Sequence, residues 1–136
     1  MGPESPRLLS GDEWPFRLAS RVEEWHIINT ARKVIVGPIR IRMEQIIQEV
    51  AAERGWTVIE LAIQPDHVHL FIRADPNTLP SEIPRRIKWR SSRYLRDEFP
   101  QLKRLPSLWT RSFFLSTAGN VSQEAMRKYI ERQSKT

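Results

Sequence analysis

The chain contains no cysteine. That absence excludes a disulfide scaffold, a zinc ribbon and a thiol nucleophile, and it fits a reducing compartment. No apolar run approaches the ~18 residues needed to cross a bilayer. The opening stretch MGPESPRLLSGDEWPF lacks the apolar segment of a secretory signal. A cytoplasmic protein with no membrane partner is therefore expected. Internal repeats and low-complexity tracts are also missing. What remains is a 136-residue chain, 40% hydrophobic, long enough to bury one core without covalent or metal props. Acidic residues are the scarcer sign: 16 Asp and Glu stand against 22 Lys and Arg, a net charge of +6. Such a surplus favours a polyanionic partner, although charge alone fits a ligand-free basic protein equally well.

Residues 1–17 are rich in Pro, Gly and charge, without periodicity, and are read as a flexible leader to a single domain over 18–136. A first strand is expected over 22–30. A helix over 37–55 carries Pro38 in its first turn, Gly55 at its stop, and Ile39, Met43, Ile46, Ile47 and Val50 along one face. Strands over 56–63 and 67–73 flank the turn-forming QPD and make a hairpin. A second helix is expected over 81–99, with Ser81 as N-cap and Pro84 tolerated in the first turn. A fourth strand over 108–119 and a last helix from Ser122 follow. The order β-α-β-β-α-β-α begins with the ferredoxin-like split βαβ pattern, an α+β fold whose antiparallel sheet carries two helices on one face. The other face is left for the last helix, a partner or a ligand.

The stretch QPDHVHLFIR holds two of the three histidines. On a strand, residues two apart share a face. His67 and His69 therefore stand side by side while Val68 and Leu70 point into the core. Two neutral imidazoles so placed can share a metal ion. They can equally be half-buried histidines making ordinary hydrogen bonds. A third ligand is needed, and Asp66 is expected on the opposite side of the strand. His26, alone on an apolar strand, is assigned a structural role.

On the last helix Tyr129 and Gln133 lie one turn apart and share a stripe with Ala125, beside a packing stripe of Met126 and Ile130. The plain reading is a tyrosine at the core edge with its hydroxyl in water. The chemical reading is a nucleophile, Tyr129, beside a neutral oxygen ligand, Gln133, with Arg127, Lys128 and Arg132 available to lower the phenol's pKa. Earlier in the chain, RRIKWRSSRYLR places Arg85, Arg86, Lys88, Arg90, Arg93 and Arg96 around an apolar stripe, with no acid among them. A solvated helix usually mixes signs, so unpaired cations suggest that phosphates supply the anions. Ser91, Ser92 and Trp89 add hydrogen-bonding and base-stacking capacity.

PDHVHLFI, IKWRSSRYLRDEFPQL and LWTRSFFLSTAGNVSQEAMRKYIERQ together resemble the HUH-type single-tyrosine transposases, the TnpA-like enzymes of small bacterial insertion sequences and the related REP-associated tyrosine transposases. The likeness runs from about Trp25 to Gln133. It implies that His67, His69 and Gln133 hold a divalent metal ion, Mg²⁺ or Mn²⁺, and that Tyr129 attacks a DNA phosphate. It further implies a ferredoxin-like homodimer acting on single-stranded DNA with hairpins near element ends. Cleavage would leave a 5′-phosphotyrosine and a free 3′-OH, and the retained bond energy would permit rejoining without ATP. Arg85, Arg86, Lys88, Arg90, Ser91, Ser92 and Arg93 would then contact DNA.

The chain departs from that pattern at IINTARKVIV, where the family often has a Trp and a Lys-Tyr-Arg run, and at Trp89, where a small Gly often follows the helix Lys. These changes bear on DNA-end recognition and the dimer edge. Rival readings are a non-catalytic single-strand binding module, a domesticated descendant that only dimerises, and a metal-dependent phosphodiesterase using water.

Overall fold

The structure is a computed structural model that describes residues 23–118 and 122–134. The leader expected over 1–17 lies outside the described residues, as does the end of the expected fourth strand at 119. The elements run β1 (Glu23–Thr30), α1 (Gly37–Arg54), β2 (Thr57–Gln64), β3 (His67–Ala74), α2 (Glu82–Glu98), a 3-10 helix (Pro100–Arg104), β4 (Phe114–Thr117) and α3 (Gln123–Ser134).

Helix α1 starts with Pro38 in its first turn and stops at Gly55, whose φ of 76° is the left-handed conformation that favours glycine. The amide of Trp56 then donates to the Ala51 carbonyl at 2.9 Å, which closes the helix end. Ile39, Met43, Ile46, Ile47 and Val50 are buried, as their 3.6-residue spacing requires. Helix α2 buries Ile83, Pro84, Ile87, Ser91 and Leu95. Ser81 precedes that helix, but its side chain makes no capping hydrogen bond.

The sheet order is β2-β3-β1-β4. Each neighbouring pair is antiparallel. This is the ferredoxin-like order, and it makes β4 an edge strand. Register decides which side chains share a face. Ile27 lies opposite Leu70 and Trp25 opposite Ile72, and this face meets α1 and α2 in one apolar core. One residue along, His26 lies opposite Phe71, Ile28 opposite His69 and Thr30 opposite His67. Those side chains point to the second face. Ile28 and Thr30 are nonetheless buried, because α3 packs against β1 there. The last helix is thus the cover of the second face.

The fourth strand is shorter than its sequence pattern suggests. Trp109 forms only an isolated bridge to Ala31. Residues 111–113 leave the ladder, and regular pairing resumes at Phe114. The carbonyls of Thr110 and Ser112 instead accept hydrogen bonds from Lys88 Nζ, both at 2.8 Å. Upstream, the Trp109 indole donates to Ser91 Oγ at 3.0 Å, and Ser91 donates to the Ile87 carbonyl at 2.6 Å. These contacts fasten the segment before β4 to α2. Among the described residues no helix is long and apolar enough to cross a membrane.

Candidate active site

β3 begins at His67, and the strand alternation follows at once. Val68 and Leu70 are buried in the core, while His67 and His69 are half-buried on the second face. Asp66 belongs to the turn and escapes that alternation. Its carboxylate lies 2.9 Å from His67 Nδ1, so the expected opposite orientation does not occur. A carboxylate on one ring nitrogen fixes the tautomer and leaves Nε2 as the ligating atom. The Asp66 carbonyl also accepts from the Ala31 amide at 2.8 Å, which pins the turn to the end of β1.

His69 has a different partner. Its Nε2 lies 3.0 Å from His26 Nδ1, and the His26 ring stacks on Phe71 with centroids 4.3 Å apart. His26 is therefore not a core histidine but a half-buried member of the second face. The apolar neighbours of His26 in sequence hid this, because alternate residues of β1 serve different faces. Burial pushes the His69 imidazole below its usual pKa; His26 adds to the shift, Glu60 opposes it and His67 adds a little more. A ring held neutral keeps a lone pair for a ligand.

Gln133 reaches a cleft of about 530 Å³ lined also by Thr30, Asp66, Trp109, Thr110 and Ile130. Gln133 thus shares a cleft with Asp66, the residue whose carboxylate orients His67. His67, His69 and Tyr129 do not line it. His69 opens on a smaller concavity with Glu60, Ala62 and Phe71. The donor set of two imidazoles and an amide oxygen suits a divalent ion that accepts nitrogen and oxygen, and the Asp66–His67 pair fits such a centre. Ligation by His69 Nε2 requires its contact with His26 to open. Among the described residues no group of three or more His, Cys, Asp or Glu could hold a metal ion, so Gln133 is what would complete this set.

Tyr129 is buried at 9% exposure, deeper than Met126 or Ile130 beside it. Its hydroxyl is 2.8 Å from Ser112 Oγ rather than in open water, and its ring tilts against Phe114 at 5.7 Å. The ring packs against Phe114 of β4 and its hydroxyl meets Ser112 in the segment that leaves the ladder, which accounts for the burial. The cations beside it in sequence turn elsewhere. Arg127 pairs with Glu131 and Lys128 with Glu124 on the exposed side of α3. The cation linked to Tyr129 comes from α2: Lys88 holds the Ser112 carbonyl, and Ser112 holds the phenol. Burial pushes the Lys88 ammonium down to about 8, while its two carbonyl partners favour the charged form.

The cationic face of α2 is less free than its sequence implies. Arg90 makes a two-pronged pair with Glu53 at 2.6 and 3.0 Å, and Arg86 pairs with Glu82. Arg96 donates to the Leu105 carbonyl. Glu82 lies one turn before Arg86 on the same helix, whereas Glu53 comes from α1 and the Leu105 carbonyl from the following loop, which a helical wheel of α2 does not display. Ser91 is fully buried beneath Trp109, so the DNA contact expected of it is replaced by a packing role. Lys88 likewise directs its ammonium inward. Arg85, Arg93 and Ser92 remain at the surface cleft beside Trp89.

The family model described as IS200-like transposase matches residues 24–133. The chain belongs to that family. ISDra2 transposase TnpA of Deinococcus radiodurans is 31% identical over 116 residues, which cover 81% of this chain and 83% of that protein. A crystal structure of a Deinococcus radiodurans protein assigned as a transposase superposes with a TM-score of 0.76 at 27% identity, over 82% of this chain and 91% of the other. The structure of a REP-associated tyrosine transposase bound to a REP hairpin gives a TM-score of 0.52 at 16% identity, over 79% and 62% of the two chains, a likeness of fold. This transposase-family chain has a polar second face held by pairs distant in sequence. His26–His69, Ser112–Tyr129 and Lys88–Ser112 were missed because each joins separate elements. Only Asp66 had a local signal, its place immediately before the first histidine.

Proposed function

We propose that this IS200-like transposase cleaves and rejoins single-stranded DNA through a 5′-phosphotyrosine on Tyr129, with His67, His69 and Gln133 as ligands of Mg²⁺ or Mn²⁺. The observation that supports the reading is that Gln133 shares one cleft with Asp66, whose carboxylate contacts His67, while Tyr129 lies one turn before Gln133. Tyr129 would form the new P–O bond as the bond from phosphorus to the 3′-oxygen breaks. The phenolic proton is balanced by the proton gained on the leaving 3′-oxygen. A side-chain nucleophile keeps the phosphodiester energy for the rejoining step, which water would discard. A bound divalent ion would supply Lewis-acid stabilisation of charge on the phosphate.

Asp66 would hold His67 in the ligating tautomer. Burial would keep His69 neutral. Ser112 would hold the phenol until it turns toward the phosphate, with its backbone anchored by Lys88. The expected assembly is a homodimer, and the expected ligand is single-stranded DNA with hairpins near element ends. The fold neighbour bound to a REP hairpin makes such a hairpin the first oligonucleotide to try.

The burial of Tyr129 and its bond to Ser112 favour a second reading, a binding module in which the tyrosine only packs. Incubating the protein and Mn²⁺ or Mg²⁺ with end-labelled single-stranded hairpins separates the two. A covalent band on denaturing gels that needs metal and vanishes in Tyr129→Phe supports the tyrosine mechanism, and the retained label reports the 5′ linkage. Binding without an adduct in either metal supports the module. Metal-dependent cutting without attached protein would identify water as the nucleophile.

A further inference from the structure

Trp89 is 62% exposed, an unusual position for the largest side chain on a helix that buries its other apolar residues. It stands on a ridge of α2 between two cationic concavities that differ in how their charges are compensated. On one side lie Glu53 and Glu82, which pair with Arg90, Arg86 and Arg54. On the other is a cleft of about 950 Å³ whose walls include Arg85, Arg93 and Lys103, with Asp97 as the acid among its lining residues. Among the described residues no carboxylate forms an ion pair with those three cations. The Arg93 guanidinium lies 5.8 Å from the Trp89 ring centroid. An indole face next to uncompensated cations matches a flat base joined to a phosphate. It matches an apolar helix poorly, because the cations would remain unpaired.

The position of this cleft adds a second argument. Ser107 and Trp109 line both it and the cleft that holds Asp66 and Gln133. The two share a wall. Arg32 and Lys33 line the first cleft, so cationic side chains occur along both. Trp109 itself is buried and fixed by Ser91, which makes the shared wall rigid.

We infer that Trp89 is a stacking platform for an unpaired base of single-stranded DNA, at the far end of a track that leaves the Asp66–Gln133 cleft and crosses Ser107 and Trp109. Arg85, Arg93 and Lys103 hold the adjoining phosphates. The inference rests on the nucleic-acid reading above and adds a base-binding subsite to it.

The test uses the full chain carrying Tyr129→Phe, so that no covalent product forms. Binding of fluorescent dT20, and of the same oligomer with bases removed singly along its length, is followed by anisotropy at several salt concentrations. Trp89→Ala should weaken dT20 binding about tenfold, and Trp89→Phe should stay within about threefold of the parent. Removing a base at one position should weaken the parent but not Trp89→Ala. Arg85→Ala with Arg93→Ala should lower the salt slope by about 1.4. Unchanged dT20 affinity in Trp89→Ala, with the parent still binding, overturns the platform and leaves the nucleic-acid reading intact. Loss of affinity together with a change in oligomeric state by light scattering also overturns it, in favour of a self-association surface. A parent that binds no dT20 at low salt overturns both readings.

Discussion

The two faces of the sheet are built on different terms. The face under α1 and α2 is filled by Ile27, Val68, Leu70 and Ile72 against helix residues such as Met43, Ile46 and Ile87. It needs volume and shape. The face under α3 is filled by His26, Thr30, His67, His69 and Tyr129, each with a named polar partner. It needs particular atoms at particular distances. Asn29 is the exception on the first face, buried with its side-chain oxygen unpartnered among the described residues. The comparison teaches that apolar burial makes the sheet stable, whereas paired polar groups on its reverse make it chemically specific.

The sharpest way to break that contrast is to remove one oxygen. Tyr129→Phe should abolish the protein–DNA adduct altogether, while urea denaturation shows a loss of only about 1 kcal/mol from the missing Ser112 bond. On the opposite face the balance should invert. Ile72→Ala, at a fully buried position, should cost about 2–5 kcal/mol by the same denaturation assay. At a temperature where it stays folded, it should still form adduct.

Lys88 tests the strut between α2 and the Tyr129 loop. Lys88→Met should destabilise by about 2 kcal/mol, because two carbonyls lose their donor. It should also slow adduct formation more than an equally destabilising core variant. Its pH signature has a definite sign. The folded pKa of about 8 lies below the usual lysine value of 10.5, so the unfolded chain binds the proton more tightly. Lys88's contribution to stability should therefore fall as pH drops from 10.5 to 8 and stay level below. The difference between wild type and Lys88→Met across that window isolates it. The smallest effect is expected on the solvent side of α3, where Arg127→Ala should change stability by no more than about 0.5 kcal/mol.

Much of the fold was legible locally. Gly55, Pro38 and the spacing from Ile39 to Val50 mark α1 within a residue of its ends, and the QPD turn separates β2 from β3. The His67–His69 pair was legible because strand alternation is a two-residue rule. The extent of β4 was not, since an alternating apolar run cannot reveal that Lys88 takes the carbonyls of Thr110 and Ser112. The surface of α2 was misjudged for a related reason: Glu53 answers Arg90 across 37 residues. His26 was set aside because its sequence neighbours are apolar, although the register with β3 delivers it to His69.

By itself, then, the sequence determined the order of the elements, the core stripes, and the presence of a histidine pair and a Tyr129–Gln133 stripe, because each depends on periodicities of two or 3.6 residues along one segment. The tertiary structure alone decided which groups meet: the Asp66 turn with the end of β1, His26 with His69 across the sheet, and Lys88 with the loop that holds Tyr129. Those meetings depend on strand register and helix docking, which bring distant segments within hydrogen-bonding range and leave no trace in local spacing.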